Sequence, residues 1–121
     1  HVGLEPDTVS YNAAISACEK ARQWRWALRL LAALPTARLR PNTISYNAAI
    51  SACAKGQAWQ PALRLLAQMP RIWVDPDVIT YDAAISACEK AARWHSALEL
   101  LACMPCAGLQ PDTISYNAAI S

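Results

Sequence analysis

Residues Thr8–Asn42 read TVSYNAAISACEKARQWRWALRLLAALPTARLRPN, and residues Val78–Asp112 read VITYDAAISACEKAARWHSALELLACMPCAGLQPD. About 20 of the 35 aligned positions are identical, too many residue types in one register for chance. The stretch between them, Thr43–Asp77, keeps the same landmarks as TISYNAAISACAKGQAWQPALRLLAQMPRIWVDPD. Tyr11, Tyr46, Tyr81 and Tyr116 lie 35 apart, as do Pro6, Pro41, Pro76 and Pro111, and Trp24, Trp59 and Trp94. Such a period marks stacked supersecondary units, each touching mainly its neighbours. The 121 residues divide into 1–7, the end of a preceding unit, three units at 8–42, 43–77 and 78–112, and 113–121, the start of a truncated fourth. With HVGLEP in place of an initiator Met, the chain reads as a segment of a longer protein.

Within a unit the pattern is helical. Tyr11, Ala14, Ile15 and Cys18 recur at i, i+3, i+4 and i+7, and Trp24, Ala27, Leu28, Leu31 and Leu34 form a second stripe. The break near Ala21–Gln23 is short, so the two helices are antiparallel neighbours. Pro35, Pro70 and Pro105 are expected to close the second helix. Asp7, Asn42, Asp77 and Asp112 are expected to cap the first helix of the following unit. The predicted helices are 8–20, 24–34, 43–55, 59–69, 78–90, 94–104 and 113–121. One hairpin cannot cover its own apolar faces, so stacked hairpins form an all-α solenoid with a concave and a convex side.

Composition agrees. Hydrophobic residues are 55% and charged residues 17%, which argues against disorder, and Gly and Phe are scarce. No apolar run reaches the roughly 18 residues of a membrane span. HVGLEP has neither the basic and apolar regions of a signal peptide nor the Arg/Ser bias of a transit peptide. The net charge of +2 is too small by itself to mark a nucleic-acid binder.

The units resemble the pentatricopeptide repeat. The resemblance is carried by Ser10-Tyr11-Asn12, Lys20, Ala27-Leu28, Met69, Met104 and Pro41-Asn42, and it covers the whole chain. Even Gly3-Leu4-Glu5-Pro6-Asp7 resembles the end of a preceding repeat. A Trp at the start of the second helix and a Pro at its end depart from the pattern, and the turn glycine survives only as Gly56. The related tetratricopeptide repeat has a period of about 34 and a W…LG…Y signature that is missing here. The resemblance implies a right-handed superhelix.

Val9, Asn12, Ser16 and Lys20 form one stripe opposite the Tyr/Ile/Cys stripe. An apolar surface, an amide, a hydroxyl and a cation suit the face, edge and phosphate of a single-stranded nucleotide. The resemblance implies one base per repeat, selected by the fifth and last residues and sandwiched by the second. On this chain those positions are Val9 with Asn12 and Asn42, Ile44 with Asn47 and Asp77, and Ile79 with Asp82 and Asp112. The fourth unit offers Ile114 and Asn117. By the family's code, Asn with Asn implies a pyrimidine and Asn with Asp a uracil, while Asp82 with Asp112 leaves its base unassigned. The implied partner is single-stranded RNA, 5′-pyrimidine, uracil, unknown-3′, with Lys20, Lys55 and Lys90 near phosphates. Organellar RNA processing, stability, editing or translation, in chloroplast or mitochondrion, comes from the resemblance alone. From the residues alone, Asn12 and Asn47 are equally well solvated surface amides, and Val9, Ile44 and Ile79 equally well pack between repeats. An ionised Asp82 cannot donate a hydrogen bond and repels phosphate.

Other chemistry finds little support. Cys18, Cys53 and Cys88 lie a repeat apart on the packing face, too dispersed to converge on zinc. Cys103-Met104-Pro105-Cys106 is a solitary C-x-x-C without a second ligand pair. His1 and His95 are the only histidines, and no nucleophile–base set or glycine-rich phosphate loop is present. We expect no enzyme activity, cofactor, metal or small-molecule substrate from this segment. The competing function is a protein-interaction scaffold using the same groove, for which the low net charge and the out-of-register Trp26 and Trp73 speak. Ser121 falls partway along a first helix, so Tyr116 and Ile120 are expected to be poorly covered.

Overall fold

A computed structural model describes residues 7–111 together with Ser115 and Asn117. The described chain forms three helical hairpins: α1 Thr8–Lys20 and α2 Trp24–Thr36, α3 Thr43–Lys55 and α4 Trp59–Gln68, α5 Val78–Lys90 and α6 Trp94–Cys103. Ser115 and Asn117 are also helical; Asp112, Ile114, Tyr116 and Ile120 lie outside the described residues.

The first helices start where their caps stand. The Ser10 amide donates to Asp7 Oδ1 at 2.8 Å, the Ser45 amide to Asn42 Oδ1 at 3.0 Å and the Thr80 amide to Asp77 Oδ1 at 3.0 Å. Each satisfies a helix-start donor that has no intrahelical partner. In the second and third hairpins the cap amide donates back to the Ser45 or Thr80 hydroxyl, closing a capping box.

The second helices differ from expectation at their ends. α2 does not stop at Leu34 but runs through Pro35 to Thr36. So late in a helix the missing Pro35 N–H removes only one bond, and the Ala37 and Leu39 amides hold the turn through the Ala33 and Leu34 carbonyls at 3.0 and 2.8 Å. α4 and α6 end one residue short of their predicted limits, and Pro70 and Pro105 open 3₁₀ turns at Pro70–Ile72 and Pro105–Ala107.

The first helices α1, α3 and α5 pack side by side. α2 packs against α1 and α3, and α4 against α3 and α5, while the second helices do not approach one another. The closely spaced row is the inner side of the curve, so the first helices line the concave face. Core residues repeat with the sequence: Ile15, Ile50 and Ile85 from the first helices, and Leu34, Met69 and Met104 from the ends of the second, are fully buried. Each such side chain contributes about 1.5–3 kcal/mol of transfer free energy.

Cys53 and Cys88 are fully buried and Cys18 is half-buried. Burial pushes the Cys53 thiol up to about 12 and the Cys88 thiol to about 11, so both stay protonated and act as small apolar fillers. Cys103 and Cys106 are exposed. Among the described residues no cluster of His, Cys, Asp and Glu is placed to hold a metal ion, and no helix is long and apolar enough to cross a membrane.

Candidate functional site

The site is built at the junction between neighbouring hairpins, near the start of each first helix. At the first junction Asn12 Nδ2 donates to Asn42 Oδ1 at 3.2 Å. The Ser45 hydroxyl already accepts the Asn42 amide hydrogen at 3.1 Å, and its own hydrogen faces Asn12 Oδ1 at 2.5 Å. That donor fixes which end of the Asn12 amide faces which way. Asn12 keeps one N–H and one carbonyl lone pair uncommitted. Asn42, exposed, keeps both hydrogens of Nδ2.

The second junction repeats the device with one charge added. Asn47 Nδ2 donates to Asp77 Oδ1 at 3.2 Å, and the Thr80 hydroxyl donates to Asn47 Oδ1 at 2.5 Å. Burial alone raises the Asp77 carboxyl, but bonds from the Thr80 amide, the Thr80 hydroxyl and Asn47 outweigh it and hold the group below its usual 3.8. Asp77 is therefore ionised at neutral pH, with Oδ2 left as an acceptor. At the third junction the Ser115 hydroxyl donates to Asp82 Oδ1, so the same clamp holds a carboxylate where the other two hold amides.

The residues expected to act together are thus partly joined. Asn12 meets Asn42, and Asn47 meets Asp77; the partner of Asp82, Asp112, lies outside the described residues, as does Ile114, while Asn117 is an exposed helical residue. The structure corrects one part of the expected stripe. Asn12 and Asn47 are not solvated amides on an open face but half-buried, and their hydrogen bonds cross the junction. Val9, Ile44 and Ile79 are 74%, 65% and 63% exposed, which removes packing between repeats as their role. Lys20 and Lys90 are exposed, whereas Lys55 forms an ion pair with Glu19 of the preceding hairpin.

Ser45, Thr80 and Ser115 were missed as site residues. All three are fully buried polar side chains, and each pins the amide or carboxylate of the previous unit. Their signal was the 35-residue spacing of hydroxyls at the third helical position, which capping alone also explains. Two other hydroxyls tie the helix starts to the next loop: Thr8 Oγ1 donates to the Arg40 carbonyl at 3.3 Å and Thr43 Oγ1 to the Asp75 carbonyl at 2.8 Å.

The sequence pattern of the PPR repeat family matches three overlapping stretches, 6–55, 41–90 and 76–121. The chain belongs to the pentatricopeptide repeat family. Among solved structures, the pentatricopeptide repeat protein PPR10 from maize superposes with a TM-score of 0.85 at 25% identity over 98% of this chain. PPR10 in complex with an 18-nucleotide psaJ RNA element gives 0.86, also at 25% identity over 98% of this chain. This chain spans only 17% and 18% of the respective PPR10 chains. The PPR domain of Arabidopsis thaliana protein-only RNase P 1, in complex with tRNA, gives 0.80 at 15% identity, covering 97% of this chain and 62% of that one, a likeness of fold. No curated protein matches the sequence.

Proposed function

We propose that the concave face reads single-stranded RNA one base per repeat, through Asn12–Asn42, Asn47–Asp77 and Asp82 with Asp112. The observation that carries this reading is the direct hydrogen bond within each described pair, which presents two side chains as one rigid edge. Val9, Ile44 and Ile79 stand exposed beside those pairs, as apolar platforms for base faces.

The free groups set the preference. Asn42 Nδ2 offers donors, which suit pyrimidine acceptors: N3 or O2 of cytosine, or a carbonyl oxygen of uracil. Asp77 Oδ2 offers only an acceptor, which suits the N3–H of uracil. The read sequence is 5′-pyrimidine, uracil, unassigned-3′, with Lys20 and Lys90 as phosphate contacts and Lys55 diverted to Glu19. The role we assign is organellar RNA processing, stability, editing or translation.

Stacking contributes about 1–3 kcal/mol per base, so three units place the affinity in the roughly micromolar to millimolar range. An anisotropy titration of this chain at low salt against short RNAs tests the reading. RNA carrying the pyrimidine–uracil step should bind about tenfold tighter than a purine-substituted one. Asn42→Asp should narrow the first position to uracil, and Asp77→Asn should relax the second to either pyrimidine. Equal binding of all RNAs, unchanged by Asn12→Ala with Asn47→Ala, would show that the face does not read bases and would favour a protein-binding groove.

A further inference from the structure

The outer face carries a second site, separate from the concave one. Because α2 and α4 splay apart, a cavity of about 530 Å³ opens between them. Leu28, Leu31, Ala32 and Pro35 line one wall and Pro61, Arg64, Leu65 and Gln68 the other, each at i, i+3, i+4, i+7 along its helix. Two such stripes facing each other make a trough about 10 Å long. Tyr46, 5% exposed, lies in it from α3. The volume falls within the usual range for small-molecule sites, about 300–1,000 Å³. The walls are mainly apolar, and the charged groups in the lining are Arg40 and Arg64. Neither guanidinium pairs with a carboxylate among the described residues. A trough of apolar walls whose lining holds two arginines and no carboxylate is complementary to an extended apolar chain ending in an anion.

The chain carries its own control. One period on along the chain, the positions of Arg40 and Arg64 are held by Asp75 and Glu99. The apolar positions keep their character: Leu28, Leu31 and Pro35 become Leu63, Leu66 and Pro70, and Tyr46 becomes Tyr81. Two repeat-equivalent sets of positions therefore carry charges of opposite sign. A solenoid needs apolar walls to stack; it does not need a charge of one sign at one set of positions and the opposite sign at the next.

We propose that the α2–α4 crevice binds an anionic amphiphile, a single acyl-type chain with a carboxylate or phosphate head held by Arg40 and Arg64. The test titrates the 121-residue chain with octanoate, octyl phosphate, octylammonium and octanol, each below its micelle concentration or solubility limit, by calorimetry and amide chemical-shift mapping. Both anions should bind at least about tenfold tighter than the cation and the alcohol, with shifts centred on Leu31, Leu39 and Leu65. A tighter phosphate arm would point to a phosphate head group, a tighter carboxylate arm to a carboxylate, and equal arms would support an anion of either kind. Arg40→Asp with Arg64→Glu, which copies the residues one repeat on, should abolish the anion preference and turn it toward octylammonium. Both side chains are exposed, so the fold survives the change; circular dichroism confirms it, and Arg64→Gln alone supplies a milder arm with a partial loss. Equal affinity for all head groups, shifts outside the trough, or an anion preference unmoved by the variants would overturn the proposal. So would sedimentation showing a dimer that closes the crevice against a second copy.

Discussion

The first and second junctions are built from nearly the same residues and solve the same problem differently. At the first, Gly56 meets Trp24: a β-carbon on Gly56 would lie 2.3 Å from Trp24 Cδ1. At the second, Ala91 stands in place of Gly56 and Trp59 in place of Trp24, and Arg93 lies over the Trp59 ring at 4.5 Å. The first is tied by the Lys55–Glu19 ion pair; at the second the partner position holds Ala54, and Lys90 is exposed. The first is capped by neutral Asn42, the second by ionised Asp77. A repeat fold fixes the backbone and the buried stripe at every junction but leaves each rim free to vary. Charge and contact chemistry therefore diverge while the buried positions stay apolar and in register: Ile15, Ile50 and Ile85, and Leu34, Met69 and Met104.

The strongest way to break both junctions together is Ile50→Ala. Ile50 is fully buried in the middle hairpin, which packs on both neighbours, so the loss should be about 2–5 kcal/mol in urea unfolding. Gly56→Ala should damage only the first junction, by about 1–3 kcal/mol from forced displacement of Trp24. Ala91→Gly, at the corresponding place in the second, should cost less than about 1 kcal/mol. An equal response at the two positions would show that the Trp24 contact does not distinguish them. Ser45→Ala and Thr80→Val should each cost about 1–3 kcal/mol, because each strands the amide of Asn12 or Asn47 beside an apolar group.

Acid should separate the junctions further. The folded Asp77 group lies below its usual 3.8, so its stabilisation is fully present above that value and is lost as pH falls through the lower folded one. Thermal melts from about pH 5 to about pH 1 should therefore flatten in Asp77→Asn and steepen in Asn42→Asp. Asp7, lowered chiefly by the Ser10 amide, titrates in the same direction and is common to all these variants. The smallest effect belongs to the ion pair: with Lys55 partly exposed, Lys55→Ala should cost at most about 1 kcal/mol and fade in salt, and Lys90→Ala should do nothing measurable to stability.

The helices were legible because their causes are local. Asp7, Asn42 and Asp77 each cap the helix that follows, apolar spacing selects the buried face, and the 35-residue period supplies the neighbours that cover it. The misplaced end of α2 has a local cause too, since proline is forbidding in a helix interior but tolerable in a final turn already held by later amides. The turn glycine was legible as a departure from a pattern and not as a contact: Gly56 has φ −92°, an ordinary value, while the left-handed positions fall at Arg22, Gln57 and Ala92. Only the approach of Trp24 from the previous hairpin gives Gly56 its reason.

By itself, the sequence determined an all-α solenoid of stacked hairpins, its buried stripes and the residues that stand at each junction, because period, capping and amphipathicity act along the chain. The tertiary structure decided what those residues do to one another. It turned Asn12 onto Asn42 and Asn47 onto Asp77, placed Ser45 and Thr80 as buried hydrogen-bond pins, gave Lys55 to Glu19, and opened a trough with Arg40 and Arg64 at its lining. These pairings join residues about one repeat apart, and how closely two such residues meet depends on the docking of one hairpin against the next, which spacing along the chain does not specify.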